Sequence, residues 1–512
     1  MTDRPVSTKW ILGRNMAWNT AGLGVETAVG FLVMPFLINR LGESTYGIWI
    51  VIGALTSYFG LLDLGTRGSI GRHVALHHAN GNRVALNQTV SGGLTVLMLV
   101  GATVVTIIFT CEPLFFRLFA VPVEHQADAS LALRIVAVQF ALFLVATAFD
   151  AILWGFQRFD WLNAVEIPSS LLRGVLTITM VASHADLVTL AEITLAVTVV
   201  SGVAKCVLAF RVDPQLRLGI RYVSRSSLRE LLGYGGWTMI VMVAIVTRMQ
   251  LSTLMIGSLL GLALVTPYAI AARLLSTLNA GLTALTGVIT PFATTLHATD
   301  QKERQRWIFL MGGHYNTAFV VFFVSFLILF GRFLITLWIG PKFPEAALLL
   351  TIMALGEFLP GTQYVTSTII LASARHRELA ALSLAEVVAV YLLTSMLIPI
   401  LGLMGAVLAI AVPSFLLRGV ARMWWGCQVV GIPLRPYFLQ AIAGPICCVA
   451  LPAVVVGLVL HYQPPQTWLR FVEYGVLYTG LFAACYFYLF RRGRPGSSGF
   501  GLPAVGLAWK DG

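Results

Sequence analysis

The chain has 512 residues, 58% of them apolar and only 11% charged, with 34 Lys and Arg against 22 Asp and Glu for a formal charge of +12. A soluble globular chain is about 45 to 50% apolar and about 25% charged, so the composition excludes a soluble enzyme, a disordered tail protein and a disulfide scaffold. It is that of an all-α polytopic membrane protein, with apolar residues enough for about fourteen spans of about 20 residues each.

Runs of mostly apolar residues place spans at 15–38, 45–65, 87–110, 130–154, 161–183, 187–210, 232–259, 264–295, 307–330, 346–372, 378–400, 403–425, 438–460 and 468–490. The first run lacks a small-residue cleavage site and is read as a retained anchor. Within it Asn15, Asn19, Gly22, Glu26 and Gly30 fall on one helical stripe. A polar stripe inside a membrane must face protein or water. Glu26 is therefore a candidate ion-coupling acid, or the partner of an embedded arginine, and Asn19 a candidate substrate contact. Close helix packing through the glycines is the competing reading. Asp63 closes the second span as a loop anchor, and His73, His77 and His78 in the 66–86 connection read as a solvated helix face with no third ligand for a metal.

Three arginines fall well inside spans: Arg173 in the fifth, Arg248 in the seventh and Arg273 in the eighth. Each costs about 2.5 to 3.5 kcal/mol at the centre of an isolated helix, so each needs a polar or wet place to face. A cationic cavity that holds phosphate oxygens in the guanidinium fork is one solution. Pairing with embedded acids is the other, for instance Arg173 with Glu166. Around Arg273 the eighth span carries Tyr268, Ser276, Thr277 and Asn279, the best candidate face for substrate. Asp150, Glu192, Glu357 and Glu386 are embedded acids, and Glu357, near mid-span, is the second ion-coupling candidate beside a packing role.

The longest basic connection, with Arg211, Arg217, Arg221, Arg225 and Arg229, is read as a solvated joint between lobes, and Ser227 and Glu230 have capping-box spacing there. Residues 1–210 then form an N-terminal lobe of six spans, 211–231 a cytoplasmic linker, 232–425 a second lobe of six, 438–490 two trailing spans and 491–512 a tail. An offset of 219 residues pairs Trp18 with Trp237 and Leu41-Gly42 with Leu260-Gly261, a weak repeat of the kind related by an axis along the membrane normal. With the N-terminus inside, most Lys and Arg, Lys205 and Arg418 included, fall in inside segments, whereas Arg40, Arg117, Arg134, Arg332, Lys342 and Arg470 fall outside. That bias sets both termini in the cytoplasm and accounts for the basic charge without nucleic acid. No lysine follows glycine, so there is no phosphate-cradling P-loop and ATP-driven export by this chain alone is excluded. No cofactor or metal is implied, and the longest outer segment, 111–129, leaves little room for a membrane enzyme's chemistry.

The stretch from Arg14-Asn15 through Pro35-Phe36-Leu37-Ile38, Leu41-Gly42, Tyr46-Gly47-Ile48-Trp49, Ser57-Tyr58 and Leu62-Asp63-Leu64-Gly65 to Arg72-His73-Val74-Ala75 resembles the start of the Wzx-type oligosaccharide flippases. These belong to the multidrug, oligosaccharidyl-lipid and polysaccharide exporter (MOP) superfamily. The resemblance implies two six-helix, MATE-like lobes around a central cavity and two further helices. It also implies alternating access that carries an undecaprenyl-diphosphate-linked oligosaccharide across the bacterial inner membrane for surface polysaccharide synthesis. A polysaccharide polymerase and glycosyltransferases would be its partners, and a monomer is the default. A lipid II flippase and a multidrug cation antiporter use the same scaffold and remain as alternatives, the antiporter disfavoured by the three embedded arginines.

Overall fold

The computed structural model describes residues 8–63, 65–225, 236–299, 301–373 and 375–491. Ser227 and Glu230 lie outside them. Among the described residues there are helices and no strands: α1 (Thr8–Phe59), α2 (Thr66–Ala79), α3 (Arg83–Phe119), α4 (Val123–Gly155), α5 (Phe159–Ser183), α6 (Leu187–Val212), α7 (Gly236–Leu259), α8 (Val265–Ala298), α9 (Lys302–Trp338), α10 (Pro344–Thr362), α11 (Tyr364–Ala372), α12 (His376–Pro413), α13 (Arg422–Val430), α14 (Leu434–Tyr437), α15 (Gly444–Tyr462) and α16 (Trp468–Arg491). π-helical turns at Ser414–Ala421 and Phe438–Ala443 join α12 to α13 and α14 to α15.

Eleven helical runs among the described residues are long and apolar enough to cross a membrane. Two of them each hold two of the spans read from the sequence, bent at a glycine: Gly42 (φ 79°) inside α1 and Gly402 (φ 56°) inside α12. At these angles any side chain would be strained, so glycine lets one continuous run carry two crossings. With α16, which is not in that set, each of the fourteen spans read from the sequence falls on helix among the described residues.

The chain divides into two compact units, residues 1–266 and 267–512. The first therefore runs on past the 211–231 segment and takes in α7. Within it, Asp213 accepts from Arg83 at 2.6 Å, the Arg217 amide donates to Asn87 Oδ1 at 3.1 Å and the Gly219 amide to Ser91 Oγ at 3.3 Å. The start of the connection is thus pinned to α3, not free in solvent as the sequence suggested. The α2 helix buries Thr66, Ser69, Ile70, His73 and Val74, a helical stripe that lies on α3 and α4. His73 is therefore no solvated residue; its Nδ1 meets the Ser69 carbonyl at 2.8 Å.

The Leu41-Gly42 and Leu260-Gly261 pair recurs as two bends, Gly261 taking φ 97°. They lie close together inside the first unit: Thr266 Oγ1 donates to the Glu43 carbonyl at 2.8 Å, and a Cβ on Gly47 would fall 1.9 Å from the Leu262 carbonyl oxygen.

In the second unit α10 and α11 are one crossing broken at Gln363, three residues after Pro360, whose ring removes a backbone donor. Asn316 Nδ2 on α9 bonds the Gly361 carbonyl at 2.8 Å, satisfying backbone at the break. Phe309 and Tyr437 stack at 4.5 Å in a core with Leu359, Val365, Ile369 and Met423. The last helix lies on α9 through a ladder of rings, Phe326, Phe330 and Phe322 against Phe471, Tyr478 and Phe482.

Candidate substrate face and buried charge clusters

Arg273 sits half-buried on α8, next to the buried Leu274 and Leu275. Among the described residues no acid comes within salt-bridge distance of it, so of the two readings of an embedded arginine this side chain fits the one without an internal partner. Ser276 is exposed and Thr277 half-buried. Their hydroxyls donate to their own helix, Ser276 to the Arg273 carbonyl at 2.7 Å and Thr277 to the Leu274 carbonyl, and so offer a ligand only lone pairs. Asn279 accepts from Tyr364 of α11 at 3.0 Å, which leaves its amide N–H groups for another partner. The face thus presents a guanidinium and amide donors, a set suited to phosphate or sugar oxygens.

The other candidates distribute as follows. Arg248 is half-buried on α7, in the first unit, and Arg173 is exposed on α5. Glu166, offered as a partner for Arg173, is instead bonded to Lys205. Glu26 is exposed on α1, where the same stripe packs closely: a Cβ on Gly22 would lie 2.8 Å from Asn163 Oδ1 of α5. The helix containing Asn19 is described, but its side chain lies outside the described set, as does that of Asp63. Glu192 is exposed on α6.

Glu357 is buried and fully engaged. Arg418 donates to it as a fork, Nη2 to Oε1 at 2.6 Å and Nη1 to Oε2 at 3.1 Å. Arg418 also faces Glu386 at 3.9 Å, and the Ser414 hydroxyl donates to Glu386 Oε1 at 2.7 Å. All three charged side chains are less than a tenth exposed. The first unit holds a matching arrangement: Lys205, buried, lies 3.0 Å from Asp150 and is bonded to Glu166, with Arg67 at 3.7 Å from the same aspartate. Here Glu166 and Arg67 are about half exposed, so this cluster reaches the surface while the other is sealed.

Counted along the fourteen crossings, each cluster takes one acid from the fourth (Asp150, Glu357), one from the fifth (Glu166, Glu386) and its cation from the sixth (Lys205, Arg418) of a set of six. This correspondence supports the two-fold repeat more firmly than the residue identities at offset 219. It also corrects the sequence assignment of Lys205 and Arg418 to inside connections: both are in the protein interior. Their apolar neighbours, Val203-Ala204 and Cys206-Val207, and Phe415-Leu416-Leu417, were the available signal.

Residues 12–297, more than half the chain, match the family described as polysaccharide biosynthesis protein. Over 411 residues the chain is 22% identical to a putative O-antigen transporter of Shigella flexneri, covering 77% of this chain and 93% of that one. Over 480 residues it is 20% identical to the uncharacterized membrane protein EpsK of Bacillus subtilis, covering 93% and 94%. Among solved structures it is similar to an inward-facing multidrug resistance MATE transporter of the MOP superfamily, with TM-score 0.68, 14% identity and coverage of 81% and 98%. It is also similar to a MOP superfamily transporter of Pyrococcus furiosus, described as having a binding pocket of reverse polarity, with TM-score 0.60, 15% identity and coverage of 82% and 95%. At these identities the two structures establish a MATE-like fold.

Proposed function

The chain belongs to the polysaccharide biosynthesis protein family, and from that premise we propose that it is a transporter, not an enzyme, that moves an undecaprenyl-diphosphate-linked oligosaccharide across the cytoplasmic membrane by alternating access. The carrying observation is Arg273, half-buried on a membrane helix with no acid in reach among the described residues and with Asn279 on the same helix. A guanidinium held there is compensated when an anionic headgroup arrives, and a diphosphate suits its fork. Arg248 and Arg173 are the further cationic contacts, with Ser276, Thr277, Asn279 and Asn19 as polar ones. The putative O-antigen transporter of Shigella flexneri supports the cargo class.

In this reading residues 1–210 and 232–425 are the two six-span lobes, 211–231 the linker, 438–490 two accessory spans and 491–512 a cytoplasmic tail. The protein works as a monomer in the inner membrane, alongside a polymerase and glycosyltransferases. Glu26 and Glu357 are the proposed coupling acids. Glu26 is exposed and free to exchange a cation, whereas Glu357 would first have to leave the Arg418 fork. A multidrug cation antiporter on the same fold would favour acidic walls for its cargo, and the half-buried Arg273 with no acid in reach among the described residues speaks against it; a lipid II flippase differs only in headgroup.

The test is Arg273→Ala. The variant should reach normal protein level and melting temperature, while lipid-linked glycan on the outer leaflet falls about tenfold or more, since a charge-assisted contact contributes about 1.5 to 3 kcal/mol. Arg273→Lys should recover part of the transfer. Normal transfer by a well-folded Arg273→Ala protein overturns the reading.

A further inference from the structure

Where α9 and α15 end side by side, a recess of about 590 Å³ opens between them. Its polar wall is Arg332, Thr336 and His461, its apolar wall Leu329, Phe333 and Leu460, and no acid lines it. Arg332 is exposed, and among the described residues no carboxylate comes within salt-bridge distance of it. The Thr336 hydroxyl is spent on the Arg332 backbone carbonyl at 2.9 Å. The recess owes its depth to Gly457, where a Cβ would meet nothing nearer than Leu329 at 3.9 Å.

The surroundings set its level in the membrane. Tyr462 is 77% exposed and Trp468 44% exposed, on either side of the short connection that adjoins the recess. Exposed tyrosine and tryptophan at helix ends mark the boundary between headgroups and hydrocarbon. Further into α15 the outward residues turn apolar, Leu458, Val454 and Leu451 among them. A cation at headgroup height above an apolar surface is complementary to a lipid whose phosphate lies over its chains.

We propose that this recess is a binding site for a glycerophospholipid, its phosphodiester held by Arg332 and the His461 ring and one acyl chain laid along α9 and α15. The charge match favours this lipid: a phosphodiester carries one negative charge and meets one arginine, whereas a diphosphate carrier would bring at least two. The site is separate from the α8 face and does not depend on the transport reading.

The test uses the full-length protein, purified and delipidated, titrated with phosphatidylglycerol and followed by native mass spectrometry and thermal melting. The wild type should retain the lipid and melt higher when it is bound. Arg332→Gln should bind about tenfold more weakly, the worth of one charge-assisted bond, with the lipid-free melting temperature unchanged. Gly457→Leu leaves every charge in place but fills the recess, and should weaken binding comparably. Equal retention by wild type and both variants overturns the proposal. So does displacement of the lipid by millimolar inorganic phosphate, which would show that no chain is required. Preferential displacement by undecaprenyl phosphate at equal concentration would overturn the phospholipid assignment in favour of the carrier lipid. None of these readouts measures transport, so failure here leaves the proposed function standing, and a transport failure leaves this site standing.

Discussion

Arg418 cannot shed its charge at any pH a cell meets, so the burial of its guanidinium is tolerable only while Glu357 and Glu386 surround it. Arg418→Met strands two carboxylates in the interior, and thermal melting should report a loss of about 3 to 5 kcal/mol. Adding Glu357→Gln and Glu386→Gln to that variant should restore much of it, because the unpaired charges are gone. A single variant as stable as the wild type would show that the fork carries no such burden. The acids of both clusters were legible as embedded carboxylates from the sequence alone, but their cations were not. Counting basic residues near span ends assigns Lys205 and Arg418 to connections, and the partners that hold them inside lie 55 and 61 residues away, beyond any local pattern. Arg273 was legible because it falls at mid-span, where no connection could claim it. Its neighbours were only half legible: side-chain type predicted a polar face, but not that Ser276 and Thr277 turn back to their own helix.

Among the helices, the fourteen apolar runs were readable because membrane burial enforces length and composition, whereas their bends and breaks depend on backbone geometry. Proline and glycine hint at those without fixing them. Gly42 and Gly402 bend their helices, but Gly53, also inside α1, sits in regular helix, and a Cβ added there would meet nothing within 4 Å. This gives a matched pair. Gly47→Ala puts a methyl group into the Leu262 carbonyl and should cost about 1 to 3 kcal/mol of stability, as overpacking does. Gly53→Ala should be neutral or stabilise by up to about 1 kcal/mol through helix propensity. Equal melting temperatures for the two would refute the close approach of the two glycine bends. The π-turns at 414–421 and 438–443 had no sequence signal beyond the prolines near them, Pro413 and Pro436.

Over the whole molecule, moving Lys205 and Arg418 into the interior leaves the charge asymmetry of the connections intact, since Arg211, Arg217, Arg221 and Arg225 still crowd one segment, whereas one outer segment holds only Arg40 and another only Arg332 and Lys342. Reporters fused after Arg225 and after Arg491 should therefore both read cytoplasmic, eight crossings apart. Opposite sides would mean that one helical run does not cross, and the pairing of fourth, fifth and sixth crossings between the two clusters would lose its basis.

That pairing has an order along the chain. In both clusters the acids of the fourth and fifth crossings are made before the buried cation of the sixth: Asp150 and Glu166 precede Lys205, and Glu357 and Glu386 precede Arg418. A carboxyl group can wait in hydrocarbon as its neutral acid, because a proton removes the cost of its charge, but an arginine has no neutral form to wait in. During synthesis each set of helices thus enters the bilayer with its counterions already in place, and the cation that arrives last fastens the three crossings together. Biogenesis proceeds without Lys205 or Arg418 having to rest unpaired in the lipid.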